Sequence, residues 1–424
     1  MSPFRTLPPA GTVIPGRVLL KGLMGALFPG GSRERLAREI ERRYGVREVY
    51  LLNSGRSVLT VLLQAMKEER PDRTEVILPG YTCYSVAAAA VRVGLKVRPV
   101  DIDPHTFDYD PTQLEAVDTR NALVLITANL FGIPNDLPRL EEFCRERGIY
   151  MIDDAAQAMH ARMGDRWAGT FGDAGLFSFD KGKNITTIQG GVLLLQNPEL
   201  SERVRGIVNE LPEPSALTSA SLLVKLVLYW LFLRPWLYWV PDRSLPLGRT
   251  PWEVEYPVSL YPKRLAPIAS GLLERVDGLT ESRRSAGMQL EAALSGFRSG
   301  GGRTGSLTPV YLRYPWLRLE EERGDREPPV PDSKERRLGV STFYPACLLD
   351  LAPLKPSIAP PGHDTPRARR VARNLLTLPT HGWTTAADLR QLMDLLRRNT
   401  AALTCGRRES SAASVGSGSG TADI

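Results

Sequence analysis

Cysteine is scarce: Cys83, Cys144, Cys347 and Cys405 are scattered over 424 residues, with no CxxC pair and no zinc-ligand spacing. That excludes a disulfide framework or a zinc module as the organiser of the fold, and it points to free thiols in a reducing compartment. A signal-peptide core is also missing, because Pro8, Pro9 and Pro15 interrupt the apolar residues that follow Arg5, so a cytoplasmic location is expected. Runs of one charge sign are absent. The formal net charge is +7 and the pI about 9.3, yet Lys and Arg are interspersed with Asp and Glu, and Arg33 to Arg43 alternates sign along what reads as one helix. This is the pattern of a solvated face rather than of a phosphate-backbone footprint, which argues against nucleic acid as a partner. A mildly basic surface does suit an anionic small substrate. No internal repeat is visible.

What is present is ordinary globular material, 42% hydrophobic and 24% charged, in a chain longer than one core usually organises. From residue 46 to 195, short β-rich runs alternate with helical patterns. The runs are Val49–Leu52, Val76–Leu78, Leu123–Ile126, Tyr150–Ile152, Gly175–Phe179 and Val192–Leu195; helices are expected at Gly55–Met66, Thr82–Val91 and Pro138–Arg147. The expected class is therefore α/β, a large domain with a mainly parallel sheet covered by helices, followed by a smaller C-terminal α+β domain. Its divisions read as an N-terminal arm and helix (1–45), the large domain (46–221), an apolar insertion or connector (222–261), the small domain (262–404) and a disordered Ser/Gly-rich tail (405–424). In the small domain, amphipathic helices are expected around Leu272–Leu294 and Ala386–Arg398.

The insertion begins with LLVKLVLYWLFLRPWLYWV, residues 222–240, which holds three of the seven tryptophans and two charges, Lys225 and Arg234. Its length approaches a membrane span, but Arg234 and Pro235 fall inside it and favour two shorter segments. Two readings stay open: burial at a dimer interface, and shallow contact with a membrane surface.

Three local features carry chemistry. NSGRSVL, residues 53–59, places Gly55 and Ser57 at a strand-to-helix turn, where backbone N–H groups and the helix dipole favour an anion; the plain alternative is a helix cap. IDDAAQA, residues 152–158, sets two carboxylates just beyond a strand, at the carboxyl edge where α/β proteins bind ligands; here too a pair of caps is the plain alternative. FSFDKGKNITTIQGG, residues 177–191, sets Lys181 and Lys183 between two β runs, where a desolvated lysine becomes a nucleophile toward a carbonyl and a solvated one does not. Their order matches what pyridoxal-phosphate chemistry needs: phosphate donors, an acid for the pyridine nitrogen and an imine-forming lysine.

The stretch from Asn53 to Gly191, about a third of the chain, resembles the DegT/StrS-type sugar aminotransferases, a branch of the fold-type I pyridoxal-phosphate enzymes. The resemblance is carried in register by NSGRSVL, ILPGYTCYSV, VDID (100–103), NLFGIPND (129–136), DDAAQA (153–158), GTFGDAGLFSF (169–179) and KNITTIQGG (183–191). Fainter likeness extends to ESRRSAGMQLEAAL and LLTLPTHGWTTAADL.

The resemblance implies pyridoxal 5'-phosphate as cofactor. Lys183, four residues after the second phenylalanine of FSF, would be its Schiff-base lysine and Asp154 the pyridine-nitrogen partner. Gln157 would contact the ring oxygen, and Gly55, Arg56, Ser57 and Ser178 match phosphate-binding positions. The ring-stacking aromatic is expected near Cys83, so Tyr81 or Tyr84 takes that role if the cysteine stands there.

Three departures stand out: Arg56 in place of a threonine, which either adds charge to the phosphate site or turns outward, Asn129 in place of a histidine, and Asp153 in place of a glutamate. Relatives with histidine instead of the lysine are sugar dehydratases, and cysteine desulfurases have a histidine beside it where this chain has Gly182, so transamination is the implied reaction. His160 and His381 read as structural or substrate-facing. By resemblance, an amino donor such as glutamate and a nucleotide-linked keto-hexose acceptor for surface polysaccharide or glycoconjugate synthesis are the expected partners. A homodimer in the cytoplasm, peripheral at the inner membrane face if residues 222–240 touch lipid, completes the expectation.

Overall fold

The computed structural model describes residues 5–244, 251–293, 306–318, 330–360 and 364–398. Seven strands make the central sheet: β1 (Glu48–Leu52), β2 (Glu75–Pro79), β3 (Lys96–Val100), β4 (Ala122–Ile126), β5 (Tyr150–Asp154), β6 (Ala174–Ser178) and β7 (Gly191–Leu195), in the spatial order β1-β7-β6-β5-β4-β2-β3. Strand β7 is antiparallel to both neighbours, β1 and β6, and every other pairing is parallel.

The strands are apolar on both faces because both are covered. Val76 and Leu78 join a core layer with Val58, Leu62 and Met66 of the helix Gly55–Glu69, while Ile77 between them joins the opposite layer with Leu36 and Ile40 of the helix Ser32–Tyr44. Sequence reading finds six of the seven strands and misses β3. Its KVRPV breaks the apolar run with Lys96, Arg98 and Pro99. A sheet edge tolerates this, since proline costs no ladder bond there and Arg98 pairs with the buried Glu75 of β2 at 2.7 Å.

A second, antiparallel sheet of Tyr314–Leu317, Leu375–Leu378 and Ser341–Thr342 lies toward the C-terminus. With the helix 386–398 it packs into the same core layer as the helix Gly55–Glu69, through Tyr314, Trp316, Leu392 and Leu396. The helix expected around Leu272–Leu294 is two, Ala266–Leu273 and Val276–Ala293. The apolar insertion is also two helices, Ala216–Phe232 and Trp239–Ser244, and the break falls at Arg234–Tyr238 as Pro235 requires. Among the described residues no helix is long and apolar enough to cross a membrane. The Ser/Gly-rich tail 405–424, with Cys405, lies outside the described residues.

Glycines in GTFGDAG fix how β5 meets β6. Gly169 and Gly172 have φ of +90° and +69°, a region that side chains disfavour. Gly175 faces Asp153 across the ladder, and a Cβ there would fall 2.1 Å from the Gly169 carbonyl oxygen. Gly175→Ala is therefore expected to destabilise the protein by about 3 kcal/mol or more, since the obstacle is backbone. Gly206→Ala, in the helix Ser201–Asn209 with open space at the Cβ position, should instead be neutral or stabilise by up to about 1 kcal/mol. Urea unfolding of the pair checks both signs.

Candidate active site

Topology brings the motif residues to one edge. Leu52 ends β1 opposite Gly191, and Ser178 ends β6 opposite the same Gly191, so the antiparallel β7 starts where its neighbours stop. Asp154 ends the adjacent β5. The turn after β1, the residues after β5 and β6 and the loop before β7 thus open on a common rim.

The two carboxylates of DDAAQA point different ways, as successive strand residues must. Asp153 is buried and fully engaged. One oxygen accepts from Asn129 Nδ2 at 2.7 Å and Thr127 Oγ1 at 3.2 Å, the other from Gly169 N at 2.6 Å and Phe171 N at 3.4 Å. Asn129 also donates to the Asp154 carbonyl at 2.8 Å and accepts from Asn135 N at 2.8 Å. Its amide is a brace beneath the rim.

Asp154 Oδ1 accepts from Ala156 N at 2.9 Å. Burial raises its pKa to about 6, opposed by that hydrogen bond and by the charge of Lys183. Lys183 lies in the loop between β6 and β7, half-buried, whereas Lys181 is exposed. The Lys183 main chain is held by Thr12, whose hydroxyl donates to its carbonyl, and Thr12 N donates to the Tyr229 hydroxyl at 2.9 Å.

At the helix Gly55–Glu69, Ser54 caps the N-terminus by accepting from Ser57 N at 3.2 Å, and Ser57 Oγ lies 2.7 Å from Ser54 Oγ. Ser54 also bridges Gly190, and a Cβ at Gly55 would lie 3.8 Å from Ser178 Oγ, so Gly55 and Ser178 adjoin. The connector straps this turn: Asn53 exchanges backbone and side-chain hydrogen bonds with Pro257 and Ser259. Of the two orientations open to Arg56, the side chain takes the outward one, bonding Glu253 at 3.0 Å with its guanidinium 4.5 Å from the Tyr256 ring centre. Only the Arg56 backbone N–H is left to an anion.

Tyr81 and Tyr84 are clamps. The Tyr81 hydroxyl exchanges two hydrogen bonds of 3.2 Å with the Tyr344 backbone, and the Tyr84 hydroxyl bonds Ala346 N at 2.9 Å and Ala346 O at 3.2 Å. Both rings are buried; Cys83 between them is half-buried with its thiol 3.0 Å from Ser85 Oγ. Gln157 is also tied down, accepting from Phe131 N at 3.0 Å and donating to the Tyr344 hydroxyl at 3.3 Å.

Tyr344 is the site residue that sequence reading missed. Burial, then Cys83, Tyr81 and Asp154, hold its hydroxyl well above the usual phenol range, so it remains a neutral donor. Arg313 was missed too. Burial lowers its pKa, opposed by the facing hydroxyls of Tyr344, Tyr238 and Tyr81, and it donates to Ser341 Oγ at 3.3 Å and Thr377 Oγ1 at 3.4 Å. Both lie in loops beside short strands, where a lone basic or aromatic residue is the only cue.

The histidines are structural. His160 bonds Asp277 at 2.7 Å and stacks on Trp167 with ring centres 4.4 Å apart; His381 bonds the Pro8 carbonyl at 2.7 Å.

This architecture is that of the fold-type I transferases: the putative sugar aminotransferase Spr1654 from Streptococcus pneumoniae superposes with a TM-score of 0.73 at 19% identity, over 95% of this chain and 100% of that one. Residues 23–211, just under half of the chain, match the DegT/DnrJ/EryC1/StrS aminotransferase family. A putative L-glutamine:3-amino-2,3-dideoxy-scyllo-inosose aminotransferase of Streptoalloteichus tenebrarius is 34% identical over 193 residues, 45% of this chain and 46% of that protein. A UDP-N-acetyl-3-dehydro-alpha-D-glucosamine 3-aminotransferase of Acidithiobacillus ferrooxidans is 31% identical over 181 residues, 42% of this chain and 48% of that protein. The chain thus spans just under half the length of these curated relatives.

If the charge of Lys183 acts on Asp154, removing it should raise the Asp154 midpoint above about 6 in the cofactor-free protein. Carboxyl-carbon NMR titration of the wild type and Lys183→Met measures this, and an unmoved midpoint places the amine elsewhere.

Proposed function

We propose that this protein is a pyridoxal-phosphate-dependent aminotransferase that moves an amino group from glutamate or glutamine to a keto-sugar or keto-cyclitol. The single observation that carries the reading is that the sheet topology gathers the Asn53–Ser57 turn, Asp154, Ser178 and the Lys183 loop on one rim. The family match and the names of the curated relatives support it, and the acceptors they name are a cyclitol and a nucleotide-linked sugar. A nucleotide-linked ketohexose destined for surface polysaccharide or glycoconjugate is the acceptor we favour. The reading includes a cytoplasmic homodimer.

The residues suit the cofactor. An α-helix leaves its first N–H groups without internal partners, and Ser54 satisfies only that of Ser57, so the N–H groups of Gly55 and Arg56 with Ser178 Oγ form a donor set for a phosphate. Asp154 would hold a proton on the pyridine nitrogen: a cation beside it favours its charged form, offsetting the burial that raises its pKa to about 6. When bound, the cofactor supplies an electron sink that lets the C–H bond next to the amine ionise.

Lys183 has two tasks, to hold the cofactor through its amine and, once displaced by a substrate amine, to carry the proton. Thr12 fixes the lysine's main chain, so the side chain moves on a static base. Gln157 and Tyr344, bonded to each other at 3.3 Å, would present an amide and a neutral phenol beside Asp154.

Amino transfer from glutamate and glutamine to a panel of keto-sugar nucleotides and keto-cyclitols tests the reading, and no transfer to any of them overturns the acceptor class. The cofactor-loaded protein should lose its near-visible imine absorbance in Lys183→Ala and keep it in Lys181→Ala; a borohydride-reducible adduct mapped to Lys181 reverses the assignment. Asp154→Asn should retain cofactor while the transfer rate falls by about two orders of magnitude or more.

A further inference from the structure

Ten of the twelve large apolar side chains that stand exposed among the described residues fall on residues 20–28 and 217–236. The first group follows the helix Gly16–Gly25 and its exit, with Leu20 and Met24 each 62% and Phe28 86% exposed; the second follows the helix Ala216–Phe232 to Trp236. The two helices meet at one end, where a Cβ at Gly16 would lie 3.7 Å from the Trp230 ring. Leu222 and Leu226 of the second enter the core layer that holds Val18, Leu19 and Ile268, and Trp230 Nε1 donates to the Ile14 carbonyl at 3.0 Å. A soluble surface does not usually collect so much apolar area in one region.

The charges on these helices have one sign. Arg17, Lys21 and Lys225 are exposed on them, and neither helix contains an aspartate or glutamate. On the first helix, Arg17, Leu20, Lys21 and Met24 recur at spacings of three and four, so cations and apolar groups share one face. At the end of the second, Arg234 folds back to donate to the Trp230 carbonyl at 2.8 Å, its guanidinium 3.8 Å from that ring's centre, beside the exposed Trp236.

We propose that this face docks on an anionic lipid surface, with both helices lying in the plane of the membrane. Large apolar residues interleaved with basic ones, and aromatic rings at the helix end, match an interfacial surface. A second copy of the chain fits worse: a two-fold contact sets this basic face against the same basic face, and neither helix carries a carboxylate to neutralise Arg17, Lys21 and Lys225. The inner side of the second helix reaches the candidate site, through Tyr229 to Thr12 and from Thr12 to the Lys183 carbonyl. Docking therefore sets the lysine loop directly behind the lipid contact. None of this depends on the proposed reaction.

Co-sedimentation of the full-length protein with vesicles of phosphatidylcholine alone and of phosphatidylcholine with phosphatidylglycerol tests the proposal. The protein should pellet with the anionic vesicles, remain in the supernatant with the neutral ones, and be released by high salt. Lys21→Glu with Lys225→Glu should reduce the anionic-vesicle partition coefficient about tenfold or more, and Leu20→Ser with Met24→Ser and Leu228→Ser should reduce it as well. Thermal unfolding by circular dichroism confirms that each variant is folded. Wild-type protein left in the supernatant with anionic vesicles overturns the proposal, as does binding that neither set of substitutions weakens. Conversion of a dimer to monomers by these substitutions, without vesicle binding by the wild type, assigns the face to a second copy and also overturns it.

Discussion

The candidate site depends on one buried carboxylate that does not face it. Asp153 ties together three pieces of chain: the residues after β4 through Thr127 and Asn129, its own strand, and the Gly169–Phe171 loop that leads into β6. With four donors converging on two oxygens, the side chain cannot rotate without leaving buried N–H groups unpaired, at about 1–3 kcal/mol each. The next residue, Asp154, is then obliged by strand alternation to project toward Lys183. The glycines of GTFGDAG belong to the same constraint, because only a backbone free of Cβ at Gly175 lets the Gly169 loop come close enough to donate to Asp153.

Around this centre the site is closed by segments remote in sequence. Residues 5–14 run from an Arg5–Asp388 ion pair of 2.6 Å, past His381 on the Pro8 carbonyl and Arg283 on the Gly11 carbonyl at 2.6 Å, to Thr12 beneath Lys183. The connector covers the Asn53–Ser57 turn from the opposite side, and Tyr81 and Tyr84 pull the Tyr344–Ala346 backbone against the rim. The smaller sheet and the large one therefore share a site held mainly by backbone hydrogen bonds. Substitutions at Thr12 or Tyr84 would be felt at Lys183 and Tyr344 without either residue touching a substrate.

These dependencies explain what sequence reading reached. The strand-turn-helix at Asn53–Ser57, the carboxylates after β5 and the lysine after β6 are local patterns, each set by a strand end and the few residues beyond it, and such patterns can be read from the chain. Alternation also tells that Asp153 and Asp154 face opposite ways, but not which way is inward. Tyr344 and Arg313 were invisible because they enter through long-range packing, from loops that flank short strands and have no periodicity of their own. Arg56 shows the limit from the other side: its position was legible, whereas its direction is decided by Glu253 and Tyr256, about 200 residues away. Strand β3 was hidden because an edge permits residues that an interior strand excludes.

Burial around the site also sets how stability responds to pH, and two kinds of group act against each other. Asp153 and Asp154 are both raised to about 6, chiefly by desolvation. A carboxyl raised above its unfolded value favours the folded state while protonated, so these two withdraw stability as pH climbs from about 4 toward 6. His160 and His381 are lowered to about 4, again chiefly by desolvation. An imidazole lowered below its unfolded value favours the folded state while neutral, so these two add stability as pH climbs from about 4 to 6.5. Two carboxyls and two imidazoles thus oppose each other over nearly the same interval, and their joint contribution is close to flat. The compensation ends when a cation binds beside Asp154: its carboxyl then no longer needs a proton to be accommodated, the carboxyl penalty shrinks, and the imidazoles are left to dominate. From these four groups, filling the site should therefore add a stability gain with rising pH that the empty site lacks.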